Sequence, residues 1–110
     1  MAFYLYTANY TADAVKALIK EPQDRASAAR KIIEAAGGTM HHAFAAFSSF
    51  DVMILAEFPN DVDMAAVSLA VGAAGGVTNG ETTKLLSMPE FREALTKAGS
   101  LAGTYSPPQG

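Results

Sequence analysis

No cysteine occurs in this chain, which excludes disulfides, thiolate nucleophiles and cysteine-ligated metals together. Charge is scarce as well. Only 17% of the residues are Asp, Glu, Lys or Arg, and the eight basic ones are scattered from Lys16 to Lys97. Nucleic acids are held by clustered Lys and Arg, so with a formal net charge of −3 no nucleic-acid partner is expected. No apolar run approaches the length of a bilayer span. The opening Met-Ala-Phe-Tyr-Leu-Tyr lacks the basic and apolar regions of a secretory leader. The expectations are no membrane partner and a cytoplasmic location.

Apolar surface is what the chain has in excess. Its 110 residues fit one domain, and a domain of this size buries about two-thirds of its unfolded surface. Half of the residues are hydrophobic, which is more than so small a core needs. The surplus predicts an interface with a second copy.

Local signals divide the chain into alternating elements. Residues 3–8 read as a strand. Thr11 caps a short helix carrying Val15, Leu18 and Ile19, closed by Pro22. From Asp24, Ala26, Ala29, Ile32, Ile33 and Ala36 recur on one helical face until Gly37-Gly38. Residues 40–47 and 50–58 are strands joined by Ser48-Ser49; the spacing favours a two-residue hairpin, but Ser-Ser lacks its usual chemistry, so a longer loop stays open. Asn60 after Pro59 caps the next helix, which fades at Gly72 and Gly75-Gly76. Residues 81–86 suit a polar edge strand. Ser87-Met88-Pro89-Glu90 is a capping box, opening a last helix with Phe91, Ala94 and Leu95 inward. The order β-α-β-β-α-β plus a terminal helix predicts an α+β fold of ferredoxin-like type, with an antiparallel sheet and its helices on one face. One domain is expected over residues 1–98. Residues 99–110, rich in Gly, Ser, Thr and Pro, are expected to form a tail, mobile or docked on a partner.

Pairing through the hairpin sets His42 opposite Leu55, Phe44 opposite Met53 and Ala46 opposite Asp51. Strict alternation then places His41, Ala43, Ala45, Phe47, Val52, Ile54, Ala56 and Phe58 on the helix side. Met40, His42, Phe44, Met53, Leu55 and Glu57 take the open side, with Tyr4 and Tyr6 expected beside them. A solvated face of an antiparallel sheet reads polar. This one does not, so a homo-oligomer, dimer or larger, is expected to cover it.

At this point the residues resemble the GYD-domain family of small bacterial proteins. The resemblance covers about residues 3–97 and rests on Asn9-Tyr10-Thr11, Pro22 with Arg25, Gly37-Gly38, the turn Ser48-Ser49-Phe50-Asp51, Pro59-Asn60-Asp61, Leu69 to Gly72 and Gly75-Gly76-Val77. The family's Gly-x-Tyr-Asp turn has Ser48 for its glycine and Phe50 for its tyrosine here, and only Asp51 is kept. An arginine common after the valine of the last loop is replaced by Thr78. The resemblance implies the fold and oligomerisation; it implies no activity.

Each candidate site residue has a functional and a structural reading. Asp51 is either a working carboxylate at the mouth of the open face or an acceptor of backbone amides at a hairpin end. His42, with Glu57 as its diagonal neighbour, is either an acid–base pair or a polar pair in an interface. His41 and His42 are consecutive and point to opposite faces, so with no third ligand no metal or other cofactor is expected. Arg25 stands in a first helical turn, where the dipole disfavours a cation, so it either meets an anion or forms a surface salt bridge. Tyr4, Tyr6, Phe44, Met53 and Arg25 are the candidate ligand contacts. The reading is a non-enzymatic homo-oligomer holding a small apolar ligand at the sheet-face interface. The alternative is a cofactor-independent enzyme of the dimeric α+β barrel kind, with His42 as base, Glu57 as its orienting group and Asp51 or Tyr6 as auxiliary.

Overall fold

Side-chain caps decide where the helices begin. In the computed structural model, which describes residues 1–109, Thr11 accepts from the Ala14 amide to open α1 (Ala12–Lys20) and Asp24 accepts from Ala26 to open α2 (Arg25–Ala35). Asn60 accepts from Asp63 at the head of α3 (Asp61–Ala73), and Ser87 and Glu90 form a reciprocal capping box at α4 (Met88–Leu101). Each bond satisfies an amide that has no partner inside its helix. The strands are β1 (Ala2–Tyr10), β2 (Thr39–Ala45), β3 (Val52–Phe58) and β4 (Val77–Leu85). They form one antiparallel sheet in the order β2-β3-β1-β4, the ferredoxin-like α+β arrangement expected.

α2 and α3 lie against one face. There Tyr4, Tyr6 and Ala8 from β1, Met40 from β2, and Ala56 and Phe58 from β3 bury themselves under Ile33 of α2 and Met64 and Val67 of α3. Gly38 enables the entry into β2: a Cβ there would sit 2.7 Å from the Glu57 carbonyl oxygen and 2.8 Å from the Phe58 ring. No helix among the described residues is long and apolar enough to cross a membrane.

The structure departs from the sequence reading in several places, among them the last strand, which begins at Val77 and not at residue 81. His42 pairs with Leu55 and Phe44 with Met53 as expected, but the ladder shifts between Met40 and His42, so Met40 pairs with Ala56. That irregularity turns Met40 into the core instead of the open face. Tyr4 and Tyr6 pair with Ala56 and Ile54, which places them on the helix side; Phe3, Leu5 and Thr7 take the open side instead. The β2–β3 connection is the longer loop, residues 46–51, closed by the Ala46 amide donating to the Asp51 carbonyl at 2.9 Å. Phe47 therefore leaves the sheet and is fully exposed.

A further departure concerns α4. It continues past residue 98 to Leu101, followed by a 3-10 turn at Ala102–Thr104, and none of its residues is buried. Phe91, Ala94 and Leu95 are exposed, not inward. The radius of gyration is 17.9 Å and the long axis 59 Å, against a radius of about 13 Å for a compact chain of this length. The expected tail begins inside this helix, and its last residue, Gly110, lies outside the described residues.

Candidate functional site

The irregularity in β2 builds the polar cluster of the open face. An extra residue between Met40 and His42 breaks strict alternation. His41 Nε2 comes 2.8 Å from Glu57 Oε1, and its ring lies 5.3 Å from that of Phe3. His42 stacks on Phe44 with ring centroids 6.0 Å apart. Glu57 is thus bonded to His41, and the expected pairing with His42 is not the one formed. Around this cluster stand Phe3, Leu5, Met53 and Leu55, which are half-buried, and Phe44, which is exposed. A carboxylate-oriented imidazole is competent to move a proton once water is excluded.

Asp51 lies at the opposite end of the sheet. Its Oδ2 accepts from the Tyr10 amide at 2.9 Å and from Asn9 Nδ2 at 3.3 Å, while its own amide donates to the Ala8 carbonyl at 2.9 Å. Asn9 Nδ2 also donates to the Ser49 carbonyl at 3.1 Å. The carboxylate thereby fastens the 46–51 loop to the end of β1.

On the helix side, α1 and α2 stand apart from α3 and leave a cleft of about 850 Å³ above the sheet. Its walls are Leu18, Ile32, Val67 and Val71, and its floor holds Tyr6 and Ile54. Tyr4, Tyr10 and Arg25 also border it. Burial pushes the Tyr6 phenol above its ordinary value. The Tyr4 hydroxyl donates to Asp61, and that bond, with burial behind it, raises its pKa. Lys84 Nζ lies 2.8 Å from the same Asp61 oxygen. Arg25 donates to Gln23 Oε1 at 2.9 Å and forms no ion pair among the described residues.

The predicted ligand contacts therefore divide between two surfaces. Tyr4, Tyr6 and Arg25 border the helix-side cleft and Met53 faces the other way, while Phe44 belongs to both, lining the cleft and stacking its ring on His42. His42 and Glu57 share the open face without touching as partners, and Asp51 stands apart from both. Sequence reasoning missed the Glu57 contact of His41, because nothing local marks an extra residue in a strand. It also missed the Tyr4–Asp61–Lys84 cluster, whose members are far apart in the chain. Among the described residues, no group of three or more His, Asp or Glu is placed to hold a metal ion.

An open four-stranded antiparallel sheet with α2 and α3 on one face defines the class. The sequence profile of the GYD domain matches residues 4–95, and the chain belongs to that family. No curated protein matches the sequence. Among solved structures, the crystal structure of MtbAldR is similar with a TM-score of 0.52 and 11% identity, over 78% of this chain and 52% of that one. At this identity the likeness is one of fold, and this chain spans about half the length of MtbAldR.

Proposed function

We propose that the protein is a non-enzymatic homo-oligomer that holds a small apolar molecule. The observation that carries the ligand reading is the helix-side cleft. Its 850 Å³ falls within the range of about 300–1,000 Å³ typical of small-molecule sites. Its walls are aliphatic, with phenol groups and one guanidinium to orient a guest. The sheet-face interface is the other place for a ligand, but four of the five predicted contacts, all except Met53, border the cleft. Titration calorimetry with 1-decanol tests this directly. Saturable binding is expected, and it should be lost in Ala29→Trp, which fills the cleft from α2. No saturable heat with the natural chain, or undiminished binding in the filled variant, contradicts the reading.

Assembly rests on the opposite face. Phe3, Leu5, Met53, Leu55 and Phe44 present an apolar surface that an antiparallel sheet normally keeps polar towards water. A second copy laid on this face, giving a dimer or larger, removes it from solvent. Residence in the cytoplasm is part of the same proposal, because nothing in it needs an oxidising compartment.

The contact between His41 and Glu57 favours one second reading, a cofactor-independent enzyme whose acid–base group is shielded by that same interface. In it His41, not His42, is the base oriented by Glu57. The expected test is loss of turnover in His41→Asn with assembly intact, for any substrate found by screening small carbonyl compounds.

A further inference from the structure

We propose that the guest of the helix-side cleft is an alkyl carboxylate, its chain lying along the aliphatic walls and its head group held by Arg25; this rests on the cleft as the ligand site. Among the residues that line the cleft, Arg25 is the one cation and Asp24 the one carboxylate. Asp24 is already committed to its own helix. Its Oδ1 accepts from the Ala26 amide at 3.0 Å and its Oδ2 from the Ser27 hydroxyl at 3.1 Å. Arg25 is not committed. Its guanidinium gives one hydrogen bond, to the neutral Gln23 Oε1 at 2.9 Å, and no ion pair among the described residues. A guanidinium carries five N–H donors in a planar fork that matches a carboxylate. The fold itself gains nothing from this charge, since a cation in the first turn of α2 opposes the helix dipole.

The rest of the lining selects the tail. Leu18, Ile32, Val67 and Val71 offer an alkyl chain aliphatic contact, and each methylene buried against them tightens binding about fourfold. The single cation fixes the charge of the head. A monoanion is neutralised by one guanidinium, whereas a phosphate dianion would keep a surplus negative charge beside Asp24. The source of any selectivity is also fixed. With a net charge of −3 the chain as a whole repels anions, and its other Lys and Arg residues do not line the cleft. A preference for a carboxylate over a neutral head on the same chain therefore comes from Arg25. Because Arg25 is exposed, its pairing is modest and weakened by salt, about fivefold at most in affinity.

Titration calorimetry with sodium decanoate beside 1-decanol, near neutral pH and at low salt, tests the head group apart from the cleft. Decanoate is expected to bind about fivefold tighter than decanol, and octanoate, two methylenes shorter, about fifteenfold more weakly than decanoate. In Arg25→Gln the ratio of decanoate to decanol affinity should fall to one or below. Arg25→Lys, which keeps the charge but not the fork, should retain part of it. Arg25 makes no core contact, so both variants should fold. Arg30→Gln removes a charge from the same helix outside the lining and should keep the natural ratio. Decanoate and decanol bound alike, or a preference that survives Arg25→Gln or falls equally in Arg30→Gln, overturns the carboxylate assignment and leaves the cleft reading standing. Decanoate heat that Arg25→Gln and Ala29→Trp both abolish, with none from decanol, upholds the carboxylate and overturns the purely apolar guest. No saturable heat from either compound, or binding that Ala29→Trp leaves undiminished, overturns the cleft reading and the carboxylate with it.

Discussion

At the head of α3, Asp61 receives two partners from the sheet: the Tyr4 hydroxyl from the helix side of β1 and the Lys84 ammonium from β4. The Lys84 bond first, and the Tyr4 bond after it, hold the Asp61 carboxyl below its ordinary range, while Lys84 is raised by Asp61. A carboxyl whose folded pKa is depressed contributes stability above its unfolded pKa and loses it as pH falls through the folded value. Lys84 and Tyr4, both raised, contribute below their ordinary values and lose that contribution as pH climbs through the raised ones. Thermal midpoints should therefore fall on the acid side below about pH 4 and on the alkaline side above about pH 10. Asp61→Asn should flatten the acid limb, lowering the midpoint near pH 6 more than near pH 3; parallel limbs in both proteins would contradict this. One position earlier, Asn60→Ala removes the bond to the Asp63 amide and should cost about 1 kcal/mol in denaturant unfolding. An unchanged midpoint would mean the cap contributes nothing. Such caps were legible in the sequence because each is decided within four residues. The side taken by Tyr4 was not. Its strand is apolar in both alternating sets, and only pairing with distant Ala56 settles which set turns inward.

The irregular pairing in β2 is the element-level feature with the widest consequences. One extra residue between Met40 and His42 sends Met40 into the core and frees His41 to meet Glu57. Met40→Ala should then cost about 2–5 kcal/mol, the usual range for truncating a buried methionine. On the open face, where strict alternation puts Met40, the same change would cost little, so the measured value separates the two registers. The hairpin pairing itself was readable, since His42 and Leu55, and Phe44 and Met53, face each other as the Ser48-Ser49 spacing requires. The strand ends were not, because Phe47 reads as a strand residue by type and yet has nothing to pack against. α4 shows the same limit. Its capping box and apolar spacing are written in the sequence, but the spacing does not say what those residues pack against.

On the scale of the molecule, the surplus of apolar residues reappears as two uncovered surfaces, the open sheet face and the apolar residues of α4, beside a cleft within the helix layer. The ferredoxin-like class was legible because element order and strand count leave few alternatives. The division of ligand contacts between two faces was not, because it depends on the side that β1 presents. The family and the fold leave activity open, so the proposal stands first on assembly. Light scattering at tens of micromolar, on the natural chain and on Met53→Asp, tests it most directly. The natural chain should give a mass of at least twice 11.5 kDa. The variant should fall to the monomer, because a carboxylate buried in an apolar interface costs several kcal/mol. A natural chain that runs as a monomer, or a variant that assembles unchanged, would contradict the claim that a second copy covers this face.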